Sequence, residues 1–99
     1  MLVLLLRKAK PALRGKVSRW LCQVATGVYL GTVSSRVRER LWARIVKEIG
    51  EGGAIMIYPA PTEQGYAVRT TGNLPYTFED FEGLILAKKT VSNNFSLKK

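Results

Sequence analysis

The sequence predicts an α+β sandwich, a sheet carrying both of its helices on one face. Three features lead there. The chain opens on a continuous apolar run, Leu2 to Leu6. Two later segments carry apolar residues at helical spacing. Short extended runs bounded by glycine and proline lie between and after those segments. With 99 residues the chain has room for one hydrophobic core. We therefore read residues 1–91 as a single domain and residues 92–99 as a polar tail.

The elements follow in order. Met1 to Arg7 reads as a central strand buried on both faces. Lys8-Ala9-Lys10-Pro11 breaks it, and Pro11 suits the first turn of a helix because its missing N–H would be unpaired there. Leu13, Val17, Leu21 and Val24, with Trp20, then recur on one helical face, which places Cys22 in that helix as a packed thiol. Gly15 weakens this helix and leaves space for another backbone, a phosphate backbone included, to approach. Gly27 to Val33 reads as extended, with Gly31 marking a bulge or kink. Ser34 or Ser35 suits the N-cap of a second helix, whose apolar stripe is Val37, Leu41, Ile45 and Ile49, widened by Trp42 and Val46. Gly50, Gly52 and Gly53 end it. Strands are expected over Ala54–Tyr58, Tyr66–Thr71 and Leu84–Ala87, with Gly72–Gly83 as a loop.

Charge is distributed unevenly. Residues 1–47 hold eleven basic residues and one acid, Glu39, whereas residues 48–99 hold five basic residues and six acids. A basic half on so small a chain points to a polyanionic partner, nucleic acid first. The chain has no histidine, the commonest general base, and its single Cys22 excludes an internal disulfide and fits a reducing cytoplasm. The opening apolar run is too short to cross a bilayer, and its charges Arg7, Lys8 and Lys10 follow it rather than precede it as in a signal peptide. The expectation is a soluble, cytoplasmic protein.

Two basic groups stand out. On the second helix Arg36, Arg40 and Arg44 are spaced four apart, with Lys47 beyond and Arg38 to one side. That spacing stacks them on one face, as phosphate contacts or as a solvated face. Around the start of the first helix lie Lys8, Lys10, Arg14, Lys16 and Arg19. Cations are locally unfavourable at a helix N-terminus, and a bound phosphate would offset that cost. No base-stacking aromatic pattern accompanies them, so backbone contact without sequence reading is expected. Catalytic groups are scarce. Glu79, Asp80 and Glu82 read as a solvated loop before they read as a magnesium site, and Ser34 and Ser35 have no base to activate them.

The segment PALRGKVSRWLCQVATGVYLGTVSSRVRERLW, Pro11 to Trp42, resembles the small subunit of the CRISPR spacer-acquisition complex in its type I-E form, a family also labelled as endoribonucleases. The likeness lies in the P-x-L-R-G-[KR] helix start, the following W-L, the G-V-Y-[VL]-G-x-V-S turn and the basic, Trp-containing helix after it. It continues through Ala54–Tyr58, Thr62-Glu63-Gln64-Gly65 and Asp80-Phe81-Glu82-Gly83-Leu84. The resemblance implies a ferredoxin-like fold with an antiparallel sheet, a homodimer, and a scaffold that binds duplex DNA and bridges dimers of the larger integrase subunit. It places phosphate contacts on Arg14, Lys16, Arg36 and Arg38, and dimer and integrase contacts on Leu84–Lys89. Family members with nuclease activity end the first strand on an acid; here Arg7 stands there. Leu74-Pro75-Tyr76 likewise replaces a basic pair of some relatives, and the tail Ser92–Lys99 follows where a few carry a fused exonuclease. The favoured reading is a non-catalytic scaffold without cofactor. A metal-dependent endonuclease, with magnesium as cofactor, and an RNA-binding ferredoxin-like protein are the alternatives.

Overall fold

Leu2, Leu4 and Leu6 point to one side of the first strand and are buried, while Val3 and Leu5 on the other side are half-buried. That alternation orients the whole sheet. The computed structural model describes residues 1–74 with their side chains and residues 76–81 and 84–89 by their backbone. Its elements are β1 (Leu2–Arg7), α1 (Pro11–Ser18), β2 (Cys22–Ala25), β3 (Val28–Gly31), α2 (Ser35–Glu48), β4 (Gly53–Pro59), β5 (Tyr66–Gly72), β6 (Tyr76–Phe81) and β7 (Leu84–Lys89). The main sheet has the order β2-β3-β1-β4-β5 with every neighbouring pair antiparallel, and β6 pairs with β7 in a separate two-stranded ladder. The β1-α1-β2-β3-α2-β4 portion is the ferredoxin-like pattern, in which each helix carries the chain across the sheet. β5 extends that sheet beyond β4.

The core lies between the helices and one sheet face. Leu13 and Val17 from α1, and Leu41, Ile45 and Ile49 from α2 and its cap, meet Leu2, Leu4, Leu6, Tyr29, Ala54 and Met56. With the helices on one face only, β1 is not buried on both faces as its apolar run suggested. Its second face instead aligns Val3 with Leu30 and Ile57, and Leu5 with Val28 and Ile55.

The first helix is shorter than its periodicity predicts. It stops at Ser18, where the Arg19 N–H donates to the Lys16 and Val17 carbonyls, and the Leu21 N–H donates to the Val17 carbonyl. Leu21 still reaches the core, from the turn rather than from a helix. Cys22–Ala25 then forms an edge strand that pairs with β3 and is exposed along its length. The Cys22 thiol is therefore exposed, and Val24 and Trp20 are 56% and 55% exposed. A four-residue repeat cannot distinguish a continuing helix from a turn that returns one leucine to the core. The irregularity expected at Gly31 occurs across the ladder instead, where the register shifts between Gln23 and Ala25.

The second helix follows its sequence signals closely. Ser34 is the N-cap, and its Oγ accepts the Val37 N–H at 3.2 Å. Leu41, Ile45 and Ile49 are buried, Val37 and Trp42 half-buried, and Val46 lies on the exposed side. In the segment expected to be a loop, Tyr76–Phe81 is a strand. Its aromatic and β-branched residues favour extended pairing with Leu84–Lys89, although Glu79 and Asp80 suggested a surface loop. Glu82 and the tail Ser92–Lys99 lie outside the described residues.

Tyr29 is fully buried, and its hydroxyl has no hydrogen-bond partner among the described residues. An unsatisfied buried hydroxyl costs about 1–3 kcal/mol. Tyr29→Phe should therefore unfold at the same or a higher urea midpoint, and a clearly lower midpoint would show that the hydroxyl has a partner.

Candidate nucleic-acid interface

α2 sends its apolar stripe into the core and so turns Arg36, Arg40, Arg44 and Lys47 outward, all exposed. Arg40, Arg44 and Lys47 line one surface groove with Ala43 between them. Arg36 and Arg40 make no ion pair or side-chain hydrogen bond among the described residues. The helical ridge read from the sequence is present.

α1 contributes differently. Its N-cap Lys10 is extended and provides no side-chain cap, Pro11 follows, and no acid lies in the first turn. Arg14 is exposed there without an ion-pair partner, its backbone N–H closing the first turn on the Lys10 carbonyl at 3.1 Å. The start of α1 lies beside the end of α2, so that Lys10, Ala12 and Leu13 share a groove with Lys47, Glu48 and Gly50. The uncapped N–H groups, Lys10 and Lys47 thus gather at one end of the helix layer beside Glu48, with Arg14 one turn along α1 from Lys10. An anion is the complement to that arrangement.

Lys16 is held by the acid of that groove. Its Nζ donates to Glu48 Oε2 at 2.9 Å and Oε1 at 3.2 Å, and Arg44 Nη1 donates to the same Oε2 at 3.1 Å. One carboxylate thus ties α1 to α2 and engages two cations of the basic surface. Arg38 is also committed. Its guanidinium lies 4.2 Å from the Tyr58 ring centroid and bonds Glu39, while Arg69 from β5 approaches the same ring at 5.4 Å and donates to Glu39 at 2.8 Å. Of the four residues marked for phosphate contact, Arg14 and Arg36 are exposed and unpaired among the described residues, and Lys16 and Arg38 are held in ion pairs. The four do not form one cluster: Lys16 meets the C-terminal end of α2, and Arg38 its first turns.

The sequence reading missed Glu48 as the clamp and Arg69 with Tyr58 as partners of the Arg38–Glu39 pair. The Arg44–Glu48 spacing of four was a usable signal. Nothing local marks the Arg69–Glu39 contact, which spans thirty positions.

Both carboxylates titrate below the ordinary 4.5, Glu48 chiefly through the Lys16 hydrogen bond and then that of Arg44, and Glu39 chiefly through Arg69 and then Arg38. A depressed folded-state pKa contributes stability that is present above the unfolded value and is lost as pH falls through the folded one. Melting temperature should therefore decline as pH drops below about 4.5. In Glu48→Gln that decline should be shallower; an unchanged profile would show that the clamp adds nothing.

At the end of β1, Arg7 is exposed and its Nη1 donates to the Asn73 carbonyl at 3.1 Å. A cation satisfied by a backbone oxygen therefore ends the first strand. Among the described residues, no three acidic, cysteine or histidine side chains converge. Nor is any helix there long and apolar enough to cross a membrane. The family model described as CRISPR-associated protein (Cas_Cas2CT1978) matches residues 1–86, which include both helices and the whole five-stranded sheet. The sheet order, the helix layer and this match together make the chain a member of that CRISPR-associated family.

Proposed function

We propose that this protein is a non-catalytic scaffold of the CRISPR adaptation machinery, in its type I-E form, holding duplex DNA by its phosphates and bridging dimers of a larger integrase subunit. The observation that carries this reading is the set Arg14, Arg36 and Arg40, exposed and unpaired among the described residues, on the helix layer of a chain with net charge +9. Surface charge of one sign without intrinsic partners favours a polyanion and confers little sequence preference. Binding of unrelated duplexes of equal length should be nearly equal and should weaken steeply with salt. Salt-insensitive binding, or none, would sink the proposal. Capture of the neighbouring integrase by the tagged protein tests the second half, with β7 (Leu84–Lys89) as the contact region.

The scaffold acts as a homodimer in this reading. Val3, Leu5, Val28, Leu30, Ile57 and Val68 are half-buried, and those on β1, β3 and β4 share the face without helices. A second copy laid on that face would finish their burial. Sedimentation at micromolar concentration should give a dimer; a monomer would count against it.

Nuclease activity is not expected. Arg7 repels a divalent cation where an acid would hold it, so purified protein should leave single-stranded RNA and duplex DNA intact with magnesium or manganese. Chelator-sensitive cleavage that survives stringent purification would restore the endonuclease reading. Tighter binding to duplex RNA than to duplex DNA would favour the RNA-binding one. A cytoplasmic location accords with both readings.

Gly15 offers a separate check. A β-carbon built there meets nothing within 4 Å, and the residue lies inside α1. Gly15→Ala should stabilise the fold by about 0.5–1 kcal/mol while weakening duplex binding, if a phosphate backbone uses that space. Unchanged binding would move the DNA away from the middle of α1.

A further inference from the structure

We propose that the cleft between the turn after α1 and the outer side of α2 takes an unpaired nucleotide, with its base stacked on Trp20 and its phosphate held by Arg40 and Arg44. The inference rests on the nucleic-acid reading and adds to it a second kind of ligand, since duplex phosphate contact does not require an aromatic ring.

The cleft is shallow, about 200 Å³, and is lined by Trp20, Val37, Arg40, Leu41 and Arg44. Trp20 follows the last turn of α1, where its N–H donates to the Val17 carbonyl at 3.0 Å. That bond fixes the backbone while the side chain stays 55% exposed, although neighbouring Leu21 is buried. The lining divides by chemistry. Val37 and Leu41 form an apolar floor, the indole presents an aromatic surface, and two guanidiniums supply charge. Among the described residues no acid lines the cleft. Arg40 has no ion-pair partner among the described residues, and Arg44 shares Glu48 with Lys16.

A ligand complementary to this lining is planar and aromatic at one end and anionic at the other, which describes a nucleotide. Base stacking on an aromatic side chain is favourable whatever the base, and arginines beside it add charge attraction. In a duplex the base faces are already stacked on one another, so only an unpaired or splayed nucleotide can present one. The groove continues along α2 through Arg44 to Lys47. Cations at successive turns, about 5.4 Å apart along the axis, suit a strand that brings one phosphate per nucleotide. An acidic peptide would use the cations but leave the indole without a stacking partner.

The test uses the full chain with three probes: oligodeoxythymidylate and oligouridylate of about 12 nucleotides, and a blunt duplex of about 20 base pairs. Tryptophan fluorescence should be quenched by the single strands, with Trp42 as the background emitter. Trp20→Leu should abolish most of the quenching and weaken single-strand binding roughly five- to a hundredfold, while duplex affinity stays within about twofold. Trp20→Phe, which keeps an aromatic surface, should retain most of the single-strand affinity and guards against a loss caused by misfolding. The tighter of the two single strands identifies the source, DNA or RNA. Unchanged single-strand affinity in Trp20→Leu would overturn the inference, and so would equal loss toward duplex and single strand. Wild-type binding to duplex alone would refute this cleft and leave the scaffold reading standing; binding to none of the probes would refute both.

Discussion

Arg14→Ala should flatten the salt dependence of duplex DNA binding by about 2 in log–log slope. Each phosphate contact contributes about 0.9 through counterion release, and the proposed symmetric dimer would lose two contacts. Arg36→Ala should do the same. Both side chains are exposed and unpaired among the described residues, so their charge is available to a phosphate without breaking another bond. Lys16→Ala and Arg38→Ala should each flatten the slope by less than about 1. The Lys16 ammonium is already held by Glu48, and the Arg38 guanidinium by Glu39 and Tyr58. The Arg14→Ala/Lys16→Ala pair should then change the slope by about 2 to 3. Glu48→Gln should act in the opposite direction, since it frees both Lys16 and Arg44; tighter binding and a steeper slope are expected. Affinity should fall equally for unrelated duplexes, because phosphates carry no base information. Titrations by fluorescence anisotropy at several salt concentrations read all of these. An Arg14→Ala slope equal to wild type, in a folded dimer, would remove the first helix from the interface. If Lys16→Ala proved as damaging as Arg14→Ala, the ion pair with Glu48 must open on binding.

Gly72→Ala should be strongly destabilising, by about 2–4 kcal/mol, a large share of the roughly 5–15 kcal/mol that holds a domain of this size together. Two physical effects combine there. Gly72 has φ +81°, which an L-residue adopts only with strain, and a β-carbon on it would strike the Gly52 carbonyl oxygen. Neither atom can retreat easily. Gly72 pairs with Gly53 in the ladder, Gly53 pairs with Arg7, and the Asn73 N–H donates to the Gly52 carbonyl at 2.8 Å. The ends of β1, β4 and β5 converge on this point, so displacing one backbone displaces all three. Arg7, which bonds the Asn73 carbonyl, would lose its support with them. Urea denaturation of Gly72→Ala measures the effect. A midpoint within experimental error of wild type would mean that these strand ends can separate freely. Gly50→Ala makes the comparison: it also has positive φ but meets no atom within 4 Å, so its penalty should be limited to backbone strain of about 1 kcal/mol.

Much of the architecture was legible in the residues because its causes are local. The α2 helix shows its serine cap, its apolar stripe and its terminating glycine within seventeen consecutive positions, from Ser34 to the arrest at Gly50. β1, β3, β4 and β5 are bounded by prolines and glycines that the chain displays openly, and the basic half is a matter of counting. The end of α1 was not legible, because Leu21 fits the helical repeat whether it is presented by another helical turn or by the turn that leads into β2. Pairing with β3 decided between them, and that depends on a strand that begins seven positions beyond Leu21. Nor could the sequence rank the basic residues. Arg14, Lys16, Arg36 and Arg38 look alike as a list, and they differ only in whether an acid reaches them. The acid that reaches Lys16 comes from thirty-two positions away, at the far end of the other helix; Arg69 joins Arg38 on Tyr58 only because β4 and β5 lie side by side in the sheet. Spacing along the chain determines which face of an element a residue occupies. Which charges remain free on that face depends on how the elements are stacked, and that is settled by the burial of the leucines beneath them.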